Sequence, residues 1–221
     1  MYKRQVLLLI LFVWKKMYQT PIVGTVFIIL IFLCNLAYAF LARWYAVLHS
    51  GVKGERRLFR TVKKLHGTNI VFHNLPVRYK RGRSELDMLI VCHAGVLIIE
   101  VKNHSGTISG SWRDDKWTQR KHYRDGKVTE TMMDNPIKQM RRQRDIVKSI
   151  LTAAGENVWI DSVLYFSSPN AKLKISLRES DYVCCESAEL LEFLKSYDSG
   201  ETLSKSRMEH IAQILRESSG V

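Results

Sequence analysis

The sequence predicts an α/β domain, a mixed sheet flanked by helices, preceded by one N-terminal transmembrane helix. Three observations predict this fold class. Two almost continuously apolar runs, residues 86–92 and 96–102, are typical of strands that are covered on both faces. Residues 135–154 show the apolar spacing of a helix that packs on such a sheet. Residues 21–42 contain no charged side chain.

The uncharged run Pro21–Ala42 comprises 22 residues rich in Ile, Leu, Phe and Val. About 20 helical residues, each rising about 1.5 Å, cross a bilayer core roughly 30 Å thick. We therefore expect a membrane anchor in residues 1–45, with the lipid bilayer as its partner, and a separate domain in residues 46–221. Basic residues flank the span on both sides, so charge leaves its orientation open.

The chain has 34 Lys and Arg residues against 21 Asp and Glu residues, a net charge of +13. Residues 46–221 alone carry a net +8. This excess fits a nucleic acid and fits an anionic membrane surface equally well. The four cysteines have no zinc-ligand spacing, so we expect buried free thiols, which favour a reducing, cytoplasmic compartment.

A helix is expected from Val52 to Leu65, after a short linker at residues 49–53. Its apolar face contains one carboxylate, Glu55, while its basic side chains crowd the opposite face. A carboxylate that points into a fold requires a cation, a metal ion or a shifted pKa.

Three charged residues interrupt the two apolar strands, which are joined by a short turn containing Gly95. Because strand side chains alternate, Glu100 and Lys102 share one face, and the hairpin brings Asp87 beside them. On the residues alone, this cluster is either a catalytic centre or a buried ion-pair network.

The helix that follows begins with Asn135 at its N-cap and Pro136 at its first position. Gln139 and Gln143 lie on or near its apolar side, where they face the charged cluster or bond to the sheet. A basic loop upstream of the hairpin offers four candidate substrate contacts, Arg78, Lys80, Arg81 and Arg83.

The remaining elements are expected to be short. Strands are predicted at residues 70–74, 158–166 and 182–185, and an irregular β segment at residues 106–128. Two terminal helices, 187–197 and 204–215, each begin with a serine suited to an N-cap.

The sequence has an acid on one strand and Glu-x-Lys on the next, and both follow a helix with an inward-pointing Glu. This arrangement resembles the active site of PD-(D/E)xK nucleases. Five motifs in order narrow the resemblance to the nuclease-related domain, NERD; they are GVKGE (51–55), ELDMLIV (85–91), GVLIIEVK (95–102), GTISG (106–110) and NPIKQ (135–139). The similarity covers residues 51–148 and implies a restriction-endonuclease-like core. Leu86 stands where that superfamily usually has proline before its first acid.

This resemblance implies that Asp87 and Glu100 bind Mg²⁺ or Mn²⁺, with the Val101 carbonyl as a possible further ligand. A hard cation of this kind needs only one or two carboxylates because it keeps several waters. Without metal the clustered acids repel one another, which should raise their pKa values.

The resemblance also implies roles for three other side chains. Lys102 would orient or help deprotonate the attacking water and offset phosphate charge. Glu55 would hold a metal-bound water or a second cation, and Gln139 would lie beside the scissile phosphate or the Lys102 head.

The implied function is a membrane-anchored, metal-dependent nuclease that hydrolyses DNA phosphodiester bonds in the cytoplasm. The alternative is a non-catalytic, membrane-tethered module of the same fold that binds nucleic acid or another partner. A signalling or stress role has no positive sign in the sequence, and the sequence leaves the oligomeric state open.

Overall fold

A computed structural model describes residues 21–65 and 67–219, together with Phe12 and Lys15. The chain divides into two compact units, Met1–Ser50 and Gly51–Val221. The elements in chain order are α1 (Pro21–Val62), β1 (Ile70–Tyr79), β2 (Gly82–Cys92), β3 (Gly95–Lys102), β4 (Gly106–Ser111), β5 (Lys116–His122), β6 (Val128–Asp134), α2 (Pro136–Ala153), β7 (Ile160–Phe166), β8 (Ala171–Ser176), β9 (Tyr182–Cys184), α3 (Ser187–Ser196) and α4 (Lys205–Ser219).

Among the described residues, one helical stretch, Gly24–Tyr45 of the first unit, is long and apolar enough to cross a membrane. It has 22 residues and a mean hydropathy of 2.4. Its large side chains, among them Phe32, Leu36 and Phe40, are exposed. Most of residues 1–20, which the sequence assigns to the anchor, lie outside the described residues.

Helix α1 differs from the sequence prediction at both of its expected limits. The linker predicted at residues 49–53 is wrong, because these residues are helical within α1. The helix also ends at Val62 instead of Leu65. Its last carbonyls are used by a tighter turn, in which the Leu65 amide donates to the Val62 carbonyl over 2.9 Å.

The first sheet has the strand order β1-β2-β3-β7-β9. Strands β1, β2 and β3 are antiparallel to one another, whereas β3, β7 and β9 run parallel. This mixed sheet with helices around it confirms the predicted fold class. The β2–β3 hairpin also agrees with the prediction, since Cys92 pairs with Gly95 across its turn.

Strand β1 is longer than expected and includes Arg78 and Tyr79 of the predicted basic loop, while β2 includes Gly82 and Arg83. Strand β1 continues to Tyr79, which pairs with Gly82 of β2. Only Lys80 and Arg81 remain in the turn. Proline is tolerated within this strand because β1 lies at the edge of the sheet, where Pro76 leaves no central ladder bond unmade.

The segment expected to be irregular, residues 106–128, contributes β4, β5 and the first residue of β6 to a second, four-stranded sheet in the order β6-β5-β4-β8. The rest of β6 and the whole of β8 were not predicted. Ile108 and Trp117 from this sheet are fully buried and pack with Ile137 and Met140 of α2. Trp117 is therefore a core residue.

Helices cover both faces of the first sheet. Helices α2 and α4 pack on one face through residues such as Val147 and Ile211. The end of α1 and helix α3 pack on the other through Leu58 and Leu190. This layering buries β3 from both sides and leaves its carboxyl end near the start of α2.

The two predicted serine caps have different outcomes. Ser204 accepts a hydrogen bond from the Arg207 amide at the start of α4, over 3.2 Å. At α3 the N-cap is Glu186. Ser187 instead shares a 2.6 Å hydrogen bond with the Tyr165 hydroxyl.

Candidate active site

An open cleft of about 670 Å³ is lined by side chains from α1, β1, β2, β3 and α2. It contains every residue for which a catalytic or metal-binding role was predicted: Glu55, Asp87, Glu100, Val101, Lys102 and Gln139. The structure therefore brings these residues together in one place.

Glu100 is the most buried acid of the cluster, with only 2% of its surface exposed. Its Oε1 accepts hydrogen bonds from Lys102 Nζ at 2.6 Å and from Gln139 Nε2 at 2.7 Å. Its Oε2 accepts from Gln143 Nε2 at 2.7 Å. Three donors from β3 and α2 thus fix the carboxylate, and only one of them carries a charge.

Lys102 and Gln139 are also bonded to each other. Lys102 Nζ donates to Gln139 Oε1 over 3.0 Å, which closes a ring of contacts with Glu100. The Lys102 side chain remains 23% exposed, so its ammonium group is accessible from the cleft. The alternation of strand side chains places the lysine and the acid on the same face, as predicted.

Asp87 lies on β2, and its Oδ2 accepts a 2.7 Å hydrogen bond from the Val101 amide. Burial, followed by the negative charge of Glu100, raises the pKa of Asp87 to about 7; Glu55 adds to this, whereas the Val101 bond and Lys102 oppose it. The raised pKa expected for clustered acids is therefore found at Asp87.

Strand β1 is distorted next to Asp87. The flanking pairs His73–Met88 and Leu75–Leu86 leave Asn74 opposite this acid, and Asn74 has a left-handed φ of 48°. Asn is one of the few residues other than Gly that adopt this region readily. Asn74 also lines the cleft.

Glu55 is half-buried at the edge of the cleft, not fully enclosed as the helical wheel suggested. Two residues of its predicted apolar face, Val52 and Phe59, are 40% and 39% exposed. They are exposed because the sheet packs mainly against the turn that contains Gly54 and Leu58.

A close approach at Gly54 holds this part of α1 against the sheet. A Cβ atom at Gly54 would lie 2.9 Å from Ser167 Oγ and 3.1 Å from Asn103 Cβ. One turn later, Arg57 donates to the Ser167 carbonyl. These contacts determine where Glu55 enters the cleft.

The four predicted substrate contacts divide into two pairs. Arg78 and Arg83 are partners in the β1–β2 register and both line the cleft. Lys80 and Arg81 occupy the hairpin turn and are not among the residues that line it. Lys80 instead lies over the Tyr79 ring, 5.3 Å from its centroid.

The sequence placed Gln143 toward the cluster or the sheet but assigned it no role in the site, and it did not select Arg142. Gln143 is fully buried and bonds both Glu100 and the Glu85 carbonyl. Its spacing of four residues from Gln139 on an apolar helix face was the available signal. Arg142 lines the cleft, but nothing in the sequence distinguishes it from other exposed helical arginines.

The oxygen atoms that the cleft offers as metal ligands fit a hard divalent cation. The described residues contain no group of three or more His, Cys, Asp or Glu side chains placed to hold a metal. Mg²⁺ does not require such a group, because one or two carboxylates with a carbonyl and waters are sufficient. The buried Gln143 Oε1, which has no partner among the described atoms, could accept a bond from such a water.

A mixed α/β fold with an acid and Glu-x-Lys on adjacent strands defines a protein of the nuclease-related class. Residues 50–167, more than half of the chain, match the family described as the nuclease-related domain, NERD. The chain belongs to this family.

A stretch of 71 residues is 34% identical to an uncharacterised protein of Bacillus anthracis. The match covers 31% of this chain and 34% of that protein, so the chain spans about a third of its relative. No solved structure matches the chain significantly.

Proposed function

We propose that this protein is a membrane-anchored, metal-dependent nuclease that hydrolyses phosphodiester bonds in DNA. One observation carries the proposal. Asp87, Glu100, Lys102 and Gln139 converge in an open cleft whose wall includes Arg78 and Arg83. Such a reaction requires acids that bind a cation and basic side chains that bind phosphates, and the cleft contains both.

Asp87, Glu100 and the Val101 carbonyl would hold Mg²⁺ or Mn²⁺. When bound, such an ion neutralises phosphate charge and lowers the pKa of a coordinated water. The raised pKa of Asp87 supports this assignment, because a cation favours the ionised carboxylate that burial and Glu100 disfavour.

The chain's own groups position the reaction. Glu100 and Gln139 hold the Lys102 ammonium in the cleft, where it stabilises negative charge that develops on phosphate and orients the attacking water. Gln143 fixes the other oxygen of Glu100, and Glu55 can accept a hydrogen bond from water at the cleft edge. Arg78 and Arg83 bind flanking phosphates.

The apolar stretch Gly24–Tyr45 supports anchoring in a membrane as a single-pass protein. We place the second unit in the cytoplasm for two reasons. DNA is found there, and the described cysteines are free thiols, as a reducing compartment keeps them.

A specific observation favours the second candidate function, a tethered module that binds nucleic acid without cleaving it. Both oxygens of Glu100 already accept hydrogen bonds from side chains of the protein. The network around this acid is therefore complete without a ligand, as a structural ion pair would be.

The test is cleavage of labelled DNA by the full-length protein in detergent, with Mg²⁺, Mn²⁺ or EDTA. We expect metal-dependent cleavage that falls by about 10²-fold or more in Lys102→Ala, because this residue stabilises the transition state. Lys148→Ala, an exposed residue of α2 outside the cleft, serves as the control and should cleave at the wild-type rate.

Removing Lys102 leaves Glu100 without its cation, so thermal unfolding must show that the variant folds. Asp87→Asn provides a second, nearly isosteric variant that should be equally inactive. Wild-type cleavage by either folded variant would contradict the proposal. Metal-independent binding of DNA without cleavage would favour the binding module.

A further inference from the structure

The charged cluster lies in the middle of a longer groove. A cavity of about 270 Å³, here the α1 arm, adjoins the cleft and shares Glu55, Asn74 and Asp87 with it. A cavity of about 310 Å³, the α2 arm, shares Gln139 and Arg142 with the cleft. The two arms and the cleft are all open to solvent, so the groove passes the cluster on both sides.

Each arm presents an arginine that is available to an anion. Arg56 lines the α1 arm and Arg142 lines the α2 arm, and both are exposed. Neither makes a hydrogen bond or ion pair with another residue in the part of the chain that the structure describes. Lys138 in the α2 arm differs, because it is bonded to Asp115. A polyanion in the groove can thus be held on both sides of the cluster.

The cleft itself is longer than one nucleotide. Arg83 and Asp87 both line the cleft and are four residues apart on β2, which corresponds to about 13 Å along a strand. One strand of a duplex has a phosphate about every 3.4 Å of helix axis, so this distance exceeds the step between neighbouring phosphates. A phosphate bound at Arg83 is therefore not the one that reacts beside Asp87.

We infer that the cluster acts on an internal phosphodiester, so that the protein cuts within a DNA strand and does not require a chain end. This inference rests on the proposed nuclease function and specifies its mode. An enzyme that removes terminal nucleotides must bind the end of its substrate, usually where a groove closes. Here the groove continues in both directions from Asp87 and Lys102.

The reaction is a hydrolysis that balances without a further reactant. The oxygen of water bonds to phosphorus, and the bond from phosphorus to one deoxyribose oxygen breaks. One proton of the water ends on that deoxyribose oxygen, which becomes a hydroxyl group. The other new chain end is a phosphate monoester.

The test compares two DNA duplexes of the same sequence with internal labels. One is a dumbbell whose ends are closed by hairpin loops, and the other has free ends. With the full-length protein and Mg²⁺ or Mn²⁺, we expect both to be cut at similar rates. Cleavage of the open duplex alone would overturn the inference and leave the nuclease function standing. No cleavage of either would overturn the nuclease function and this inference with it.

A binding measurement provides a readout besides activity. In EDTA, fluorescence anisotropy with the dumbbell should show that Arg56→Ala and Arg142→Ala each weaken binding about fivefold by loss of a phosphate contact. Lys148→Ala, on α2 but outside the groove, should bind like wild type. An effect of only one of the two arginines would contradict a substrate that passes through both arms.

Discussion

Asp87, Glu100 and Glu55 bring three carboxylates to the cleft, and the Lys102 ammonium group bonds to one of them, Glu100. The two glutamines that help to hold Glu100 are neutral, so they satisfy its hydrogen bonds without balancing its charge. Burial, followed by the negative charge of Glu100, disfavours the ionised form of Asp87 and raises its pKa to about 7. Ionisation of Asp87 should therefore lower the stability of the metal-free protein.

Asp87→Asn should stabilise the metal-free protein at pH 8 but not at pH 4. The folded-state pKa of this acid lies above its ordinary value of 3.8, so folding favours the protonated form. Stability is therefore lost as pH rises from about 4 to about 7 and stays low above that. We expect the unfolding midpoint of Asp87→Asn to exceed that of wild type by about 3 °C or more at pH 8.

The control for this experiment is added Mg²⁺. The ion should raise the unfolding midpoint of wild type at pH 8 and have a smaller effect on Asp87→Asn, which lacks the charged ligand. Equal midpoints of the two proteins at pH 8 in EDTA would show that Asp87 carries no such penalty.

At the scale of elements, the position of helix α1 depends on a close contact with the sheet that is possible only because Gly54 has no side chain. Gly54→Ala should lower stability by about 1–2 kcal/mol, because the added methyl group meets Asn103 Cβ and Ser167 Oγ. Gly51→Ala is the matched control, since a Cβ atom there meets nothing within 4 Å. It should raise stability by about 0.5–1 kcal/mol, as for an unhindered helical glycine.

Thermal unfolding of the two glycine variants measures these opposite signs directly. Cleavage should also fall in Gly54→Ala, because a shift of the helix displaces Glu55 from the cleft. A Gly54→Ala protein as stable as Gly51→Ala would mean that the helix does not approach the sheet so closely.

In the β1–β2 hairpin, Arg83 lines the cleft, whereas Arg81, two residues earlier, lies in the turn. Arg83→Ala should reduce the slope of log affinity for DNA against log salt by about 0.9, the loss of one phosphate contact on duplex DNA. Arg81→Ala should leave the slope unchanged, because this residue lies in the turn and does not line the cleft. Equal slopes for all three proteins would remove the hairpin from the interface.

Elements with a strong apolar period could be predicted from the sequence, and elements without one could not. The β2–β3 hairpin and α2 were evident because β3 is almost wholly buried and Asn135-Pro136 marks a helix start. Strand β8 alternates between half-buried and exposed residues, but it has only six residues and none of them is fully buried, so its apolar signal is weak. The full length of β1 was obscured by Pro76, which an edge strand accepts.

The candidate site was predictable to the extent that its residues are unusual for their elements. Charges inside buried strands identified Asp87, Glu100 and Lys102. The contribution of Arg142 depends on how α2 lies beside the cleft, which is a tertiary property. Exposed arginines on helices are common, so no local pattern could select it.

At the scale of the whole molecule, the chain should remain in membranes through its first unit. The full-length protein is expected to stay in the membrane pellet after alkaline carbonate extraction. A Leu33→Arg, Leu36→Arg double variant should lose this association, since each charge costs about 2.5–3.5 kcal/mol near the centre of a span. Release of the wild-type protein by carbonate would contradict a transmembrane anchor.

The side chain of Asn135 joins the second sheet to the helix that carries part of the candidate site. Its Oδ1 caps α2 at the Ile137 amide, while its Nδ2 donates to the carbonyls of Ser111 and Asp114 at 3.1 and 2.7 Å. The second sheet contributes no acid to the cluster, yet it anchors the helix that carries Gln139. A substitution in the turn around Ser111 can therefore lower activity at the candidate site without contacting it. Sequence variation in this segment can likewise change the shape of the groove while every reacting group stays unchanged.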